Sequence, residues 1–208
     1  MLFIIMDKIS VAVSGGIDSL VSAFLLKKEG YDVSGIHFIT GFETSETSET
    51  GTEEIKKQIL SKIETLSDQL SIKIKIVDLS LEFKNKVVNY FSNAYLSGKT
   101  PNPCLVCNPE IKFGRLLEEI KKDNIGFLAT GHYARIQKDS NGVFHLLKGT
   151  DPKKDQSYFL SFLNQDQLKH IHFPLGNIHK SETRRIAEEN NLTPSSTSES
   201  QDICFIKG

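Results

Sequence analysis

The residues with the most chemistry to offer are a glycine-serine run near the amino terminus and three cysteines further along. Ser14-Gly15-Gly16-Ile17-Asp18-Ser19 sets two glycines where backbone amides can converge, and hydroxyl side chains where they can add hydrogen bonds; phosphate is the ligand that suits such a loop. Cys104 and Cys107 stand in Asn102-Pro103-Cys104-Leu105-Val106-Cys107-Asn108, and Cys204 in Asp202-Ile203-Cys204-Phe205-Ile206. Thiolates are nucleophiles and soft-metal ligands, so this set allows sulfur chemistry or, with His132 as a fourth ligand, a zinc site. A thioredoxin-like pair fits less well, because it should directly follow the first strand of a βαβ unit.

The elements that must position these groups can be read from periodicity. Lys8 to Val13 reads as a strand, Asp18 to Glu29 as a helix with Leu20, Val21, Phe24 and Leu25 on one face, and Tyr31 to Phe38 as a second strand, with Gly30 between them. A βαβ unit of this kind implies a parallel sheet with helices on its faces. Glu43 to Glu54 is a Ser/Thr/Glu tract too polar to bury anything, and is expected to be a mobile insertion spanning about 42–53. Helical spacing resumes from Ile55 to Leu70, Ile72, Ile74 and Ile76 alternate as a strand, and a helix covers about Leu81 to Leu96. Two prolines in Thr100-Pro101-Asn102-Pro103 make a loop that ends at Cys104, and Glu110 to Lys122 form the next amphipathic helix.

Gly126 to Thr130 reads as a short buried strand running into Gly131 and His132, at the carboxyl edge where open α/β sheets bind ligands. Tyr133 to Gln137 and Val143 to Leu147, separated by Asp139-Ser140-Asn141-Gly142, form a hairpin. Helical segments are expected at Asn164 to His170 and at Ser181 to Asn190, with Ser181 as an N-cap; Tyr158, Phe159 and Phe162 read as core. The fold class is therefore α/β, a Rossmann-like doubly wound parallel sheet with a small helical and hairpin extension. The division falls into a sheet-forming part that carries the glycine-serine loop, 1–138, and an extension, 139–208.

Composition adds little direction. A chain of 208 residues, 38% hydrophobic and 25% charged, with a net charge of -1, is ordinary for a globular protein; no basic excess advertises nucleic acid, although binding follows local charge rather than its sum. Leu2-Phe3-Ile4-Ile5 is too short for a signal-peptide core and no stretch reaches membrane-spanning length, so a cytoplasmic location without membrane contact is expected. An odd cysteine count in a reducing compartment favours catalysis or metal binding over a disulfide framework.

The loop lacks the Gly-Lys-Ser/Thr ending of a Walker loop and the three-glycine spacing of the dinucleotide fingerprint. It resembles instead the Ser-Gly-Gly-x-Asp-Ser loop of the pyrophosphatase-loop (PP-loop) ATP enzymes, of adenine-nucleotide alpha-hydrolase type. That resemblance implies cleavage between the α- and β-phosphates of ATP, transfer of AMP to a substrate oxygen and release of pyrophosphate. Asp18 would then position Mg²⁺ or phosphate, a hard carboxylate being suited to that ion. A plain turn between strand and helix is the alternative.

Together with that loop, the two cysteine segments, Gly131-His132-Tyr133-Ala134-Arg135 and Lys154-Asp155-Gln156-Ser157-Tyr158-Phe159-Leu160 closely resemble the tRNA-specific 2-thiouridylases, in the same order and through nearly the whole chain. The family replaces the 2-carbonyl oxygen of the wobble uridine with sulfur. The resemblance implies ATP contacts at Ala12, Val13, Ser14, Gly15, Gly16, Ile17, Asp18, Ser19, Phe38 and Gly131, and tRNA contacts at Asn102, Pro103, Cys104, His132, Lys154, Asp155 and Gln156. Cys204 matches the residue that carries a persulfide, and Cys107 the residue that attacks it or the activated base. His170, His172 and His179 show no ligand-like arrangement.

The chain departs from the family at Cys104, where many members carry Asp. A third thiol would let Cys104, Cys107 and Cys204 hold a [4Fe-4S] cluster with one open iron, the route that related tRNA thiolases use. Persulfide and cluster delivery therefore both stand. Family members continue beyond the Cys204 motif into mostly β modules that grip tRNA, whereas this sequence stops four residues after Cys204. The sequence is then either a truncated form or a short variant that recruits its substrate grip from another polypeptide or acts on something else; expected partners are tRNA, a sulfur-donor protein or sulfide source and, for the short variant, a separate chain supplying the missing modules, and the stretch around Cys204 is expected to fray. The competing readings are an amide-forming PP-loop ligase, which leaves the cysteines idle, and a cluster-binding partner subunit without turnover.

Overall fold

The computed structural model describes residues 7–43, 52–195 and 203–206. Its centre is a parallel sheet of five strands. β1 (Lys8–Ala12) leads through α1 (Ile17–Lys28) to β2 (Asp32–Ile39), and α2 (Thr52–Leu70) leads on to β3 (Ile74–Asp78). A helical run, α3, follows as Ser80–Phe83, a π-helical stretch Lys84–Val88 and Asn89–Leu96. A second composite helix, α4, runs through Pro103–Cys107, the π-helical Asn108–Arg115 and Leu116–Lys121. β4 (Phe127–Ala129) then enters the sheet, and the antiparallel hairpin β5 (Ala134–Lys138) and β6 (Phe144–Lys148) stands apart from it. A 3₁₀ turn (Ser157–Leu160), α5 (Gln165–Leu168), β7 (Ile171–His172) and α6 (Lys180–Glu189) complete the order.

The strand order β3-β2-β1-β4-β7 is the doubly wound pattern expected from the βαβ signal. The chain builds outward from β1 through β2 to β3, then returns to lay β4 on the other side of β1, with Val11 opposite Ala129. The direction of winding reverses between β1 and β4, and a cleft opens at their carboxyl ends. Burial on both faces explains why these strands read as apolar runs. Ile9, Val11 and Val13 pack with Leu20, Val21 and Leu26 of α1, Leu66 and Leu70 of α2, and Ala187 of α6. On the opposite face Ile36, Leu128 and Ile171 pack with Phe83 and Val87 of α3 and Ile111, Phe113, Leu116 and Ile120 of α4.

The hairpin, the buried strand at 127–129 and the helix beginning near Asp18 all stand where periodicity puts them. Several boundaries differ, each for a physical reason. The tract 44–51 lies outside the described residues, but Thr52 to Glu54 already belong to α2, whose first turn gains from Glu53 and Glu54 beside the positive helix end. Asn102-Pro103 is a helix start rather than a loop leading up to Cys104. Asn102 accepts the Cys104 amide at 3.2 Å, and Pro103 stands at the first helical positions, where its missing N–H costs nothing. Pro109 does not end that helix either, but it falls in the π-helical stretch, where the ordinary ladder has no donor to use. Ser181 is not the cap of α6. His179 holds that position, and Asp151 reaches across to accept the Lys180 amide at 3.0 Å, an arrangement with no local signature.

Two further features were not expected. Residues 171–172 form a strand of only two residues, too short for any periodicity, yet Leu128 pairs with Ile171 and Ala129 with His172. Through β7, and through the packing of α6 on α1, the extension is part of the main sheet architecture. Tyr158 and Phe162 are 61% and 64% exposed rather than core, because the tight turn at 157–160 turns Leu160 inward in their place.

Candidate functional site

The glycine-serine run lies at the carboxyl end of β1, on the cleft beside β4. Ala12 is the last strand residue, and the Val13 amide still bonds Ile36 at 2.9 Å, so the loop leaves a fixed edge. Gly15 turns the chain at φ 87°, in the left-handed region that favours glycine. Ser14 Oγ accepts the Gly16 amide at 3.3 Å and Ser19 Oγ donates to the Gly16 carbonyl at 2.8 Å, which closes the loop on itself. No side chain caps α1, whose extended N-cap is Gly16. Its first amides and positive end therefore face the cleft, an arrangement suited to an anion.

Gly131, just past β4, comes from the other wall. A β-carbon there would stand 2.8 Å from the Asp18 backbone carbon and from its Cβ, so this position must stay bare for the two walls to meet. Asp18 itself is held from behind. Lys180 Nζ donates to both of its carboxylate oxygens at 2.7 and 2.8 Å, and the Tyr133 hydroxyl donates to Oδ1 at 2.8 Å while lying 2.8 Å from Thr183 Oγ1. Lys180 is buried, as is Thr183. Burial, foremost, raises the Tyr133 pKa far above the usual phenol range, so its hydroxyl remains a donor. Both carboxylate oxygens of Asp18 are thus occupied by Lys180.

Lys180, Tyr133 and Thr183 are residues that sequence reasoning missed. In the sequence Tyr133 stands as a hairpin start and within the Gly131-His132-Tyr133-Ala134-Arg135 motif with no role of its own, and Lys180 carries no motif. Lys62 of α2 is a fourth: its Cε and Nζ lie over Gly15, and Ser195 bonds the Gly15 carbonyl through its amide at 2.9 Å. One usable signal existed for Lys180, a lysine at the start of an otherwise amphipathic helix, where the helix dipole disfavours a cation unless a carboxylate answers it.

The cysteines occupy the α3 and α4 face. Cys104 is exposed in the first turn of α4, Cys107 is buried one turn later, and Cys204 is exposed. Cys107 belongs to the same apolar cluster as Phe38 near the end of β2, Phe42 just beyond it, and Phe205. Burial pushes the Cys107 thiol up to about 11; Lys112 opposes this, while Cys204 and Cys104 add to it. Desolvation likewise raises Cys204, again with Lys112 opposing and Cys104 adding. The three thiols are therefore near enough to feel one another's charge. Among the described residues, however, no three His, Cys, Asp or Glu side chains are grouped to hold a metal ion. The cluster and zinc readings would need these thiols, or His132, to move together.

His132 sits between Phe113 and Phe173, with ring centroids 6.0 and 5.9 Å away, and shares a 2.7 Å hydrogen bond with Thr130. Burial and then Lys112 hold its pKa well below the usual value, so the ring is neutral. Asp155 and Gln156 do structural work at the mouth of the hairpin. Gln156 accepts the Tyr133 amide at 3.0 Å, and Asp155 accepts the Gly149 amide at 2.9 Å and the Ser157 hydroxyl at 2.9 Å. Lys154 is half-buried beside them. Asn108, next to Cys107, donates to the Phe159 carbonyl at 2.8 Å and so ties the cysteine helix to this same segment. The motif residues thus fall into two groups: the glycine-serine loop with Gly131 at the carboxyl ends of β1 and β4, and Cys107 in the cluster against which Phe38 packs. Asp202 lies outside the described residues.

The chain resembles known proteins over nearly its whole length. Residues 7–208 match the family model described as the tRNA methyl transferase HUP domain. The chain is 47% identical over 200 residues to a tRNA-specific 2-thiouridylase MnmA of Desulfosudis oleivorans, covering 96% of this chain and 52% of that one. It is 43% identical to the protein of the same name from Nitrosomonas europaea, covering 96% and 54%. The chain spans about half the length of the curated relatives it matches. Among solved structures, the U34-tRNA thiolase NcsA of Methanococcus maripaludis with its [4Fe-4S] cluster aligns with a TM-score of 0.52 at 22% identity, over 95% of this chain and 60% of that one. A predicted subunit of tRNA methyltransferase from Methanocaldococcus jannaschii gives 0.50 at 20% identity, over 88% and 75%. At these identities the structural likeness concerns the fold.

Proposed function

Because the chain belongs to the tRNA methyl transferase HUP domain family, we propose that it is the ATP-using and sulfur-transferring part of a tRNA 2-thiouridylase. The observation that carries this reading is that an uncapped loop leaves the carboxyl end of β1 while Cys107 lies in the apolar cluster against which Ala12, the last residue of that strand, and Phe38 pack. Ser14 to Ser19 and Gly131 would hold ATP, with Ala12 and Val13 fixing the loop's base and Phe38 on the adenine side. The uridine 2-carbonyl oxygen attacks the α-phosphorus, the bond to the β-phosphate oxygen breaks, and pyrophosphate leaves. The carbon then carries AMP as a leaving group, which a sulfur nucleophile displaces.

For the sulfur step the geometry favours pairwise thiol chemistry. Cys204 is exposed and can accept the outer, sulfane sulfur from the persulfide of a sulfur-donor protein, whose own cysteine leaves as a thiol, whereas Cys107 is buried and protonated at neutral pH. The terminal sulfur of the Cys204 persulfide goes to the uridine carbon. Attack by Cys107 on the Cys204 sulfur breaks the S–S bond and leaves a Cys107–Cys204 disulfide, which an external dithiol returns to two thiols. Asn102, Pro103, Cys104, His132 and Lys154 line the approach of the tRNA, with Asp155 and Gln156 shaping that loop, and Mg²⁺ accompanies the ATP. The location expected for this work is the cytoplasm; among the described residues no helix is long and apolar enough to cross a membrane.

The test is tRNA thiolation by anaerobically purified protein, with pyrophosphate release, iron and sulfide measured on the same sample. Colourless, iron-free protein that thiolates tRNA supports the persulfide route, with loss of activity expected in Cys107→Ala and Cys204→Ala. Pyrophosphate release that needs an amine substrate instead of tRNA would sink the reading in favour of a ligase.

A further inference from the structure

Phe205 follows Cys204 directly, and its ring is the part of that stretch most committed to the fold. Its centroid lies 5.8 Å from Phe42, 5.7 Å from Phe83 and 5.3 Å from Phe91, with interplanar angles of 56°, 78° and 89°. Edge-to-face geometry within this range is the favourable arrangement for aromatic rings. The receiving rings are themselves linked: Phe42 and Phe83 are 6.0 Å apart, and Phe91 and Tyr95 4.8 Å. Phe83 is 1% exposed, so the floor of this socket is core. Ile206 N–H bonds the Ile203 carbonyl at 2.9 Å, closing a tight turn around Cys204 and Phe205.

Within that turn Cys204 is exposed and Phe205 half-buried, so the two neighbours point to different surroundings. The socket belongs to the cluster that contains Cys107, and Cys204 and Cys107 respond to the same cation, Lys112. Thiol exchange between two cysteines depends on access and on how often the sulfurs meet, and a single anchored side chain can raise that frequency by orders of magnitude over a free chain. We propose that Phe205 is a positioning residue: docked between Phe42, Phe83 and Phe91, it holds the Cys204 turn against α3 and sets the encounter of Cys204 with Cys107, which belongs to the same apolar cluster. An undocked ring would release the turn, giving Cys204 room to meet a sulfur donor without disturbing the sheet.

The inference rests on the proposed Cys204–Cys107 pairing, and its readout needs neither ATP nor tRNA. In a Cys104→Ser background, oxidised dithiothreitol takes two electrons and two protons from Cys107 and Cys204 as their disulfide forms, and the rate is followed by thiol labelling and mass spectrometry. Phe205→Ala should slow this step at least tenfold, Phe205→Leu should recover most of the rate, and Phe91→Ala should slow it in the same sense. The double variant should be no slower than the slower single, because both remove one contact. Thermal melts of each variant confirm that the domain stays folded at the assay temperature. Disulfide formation at the parent rate in Phe205→Ala, or a loss that Phe91→Ala does not share, would overturn the proposal. Fast, Phe205-dependent disulfide formation in a protein that never thiolates tRNA would instead remove the proposed activity and leave the positioning role standing.

Discussion

Lys180 Nζ holds both carboxylate oxygens of Asp18, at 2.7 and 2.8 Å, across 162 positions of sequence. One partner opens the helix behind the glycine-serine loop and the other opens α6, so the ion pair joins the two ends of the domain at the cleft between β1 and β4. It also places a buried cation within the wall that would face a triphosphate.

Replacing Lys180 by Met removes that cation while keeping the apolar stem. Asp18 keeps the Tyr133 hydroxyl but loses its counter-charge, at a cost on the order of 2 kcal/mol given that Asp18 is a third exposed. Urea unfolding should show this loss, and ATP-dependent pyrophosphate release should fall at least tenfold in kcat/KM. Adding Asp18→Asn should restore most of the stability and none of the turnover. Unchanged turnover in Lys180→Met would remove this residue from the ATP site.

Tyr133→Phe tests the same cluster from the third side. The phenol bridges Asp18 and Thr183 at 2.8 Å each, and leaving these groups without the bridge costs about 1–2 kcal/mol. The expected result is a modest loss in equilibrium unfolding with a smaller kinetic effect than Lys180→Met, because no charge is removed.

Gly131→Ala should be far more damaging than its size suggests. The new methyl would meet the Asp18 backbone at 2.8 Å, and backbone cannot turn aside as a flexible side chain can. Either the cleft walls separate or the loop shifts; ATP binding, followed by calorimetry, should weaken at least tenfold, whereas Gly126→Ala, which meets nothing nearby, should bind as the parent does.

Cys107 makes stability depend on pH in a stated direction. Its folded pKa is raised from the ordinary 9.0 to about 11, so the folded chain keeps a proton that the unfolded chain gives up. Its contribution is fully present below pH 9 and is lost as pH rises toward 11. Between pH 8 and pH 10.5 the loss should be about 2 kcal/mol from a shift of this size. Urea titrations should show the parent losing that much more than Cys107→Ala over the same interval; parallel losses would contradict the buried thiol.

Much of this was legible in the sequence because it is local. The phosphate loop, its flanking strand and helix, and the hairpin around Asn141-Gly142 each carry their signal within a dozen residues. What was missed is non-local. Asp151 capping α6 in place of Ser181, Lys180 answering Asp18, and the two-residue β7 all depend on partners distant in sequence. For the thiols, spacing identified the residues but not the contrast between them, since Cys104 and Cys107 share a helix yet only the second faces the core. The exposed Tyr158 and Phe162 show the same limit in reverse: an aromatic run says nothing of which rings a 3₁₀ turn will bury.

The late return of the chain to β1 bears on the order in which the domain can assemble. β1, β2 and β3 come from the first 78 residues and can pair early, but Val11 meets Ala129 only when β4 arrives. Until then the nucleotide cleft has one wall, and Asp18 lacks both Tyr133 and Lys180. A ligand that needs both walls cannot guide the early steps of folding and acts only on the finished domain. ATP should therefore slow unfolding while leaving the refolding rate unchanged.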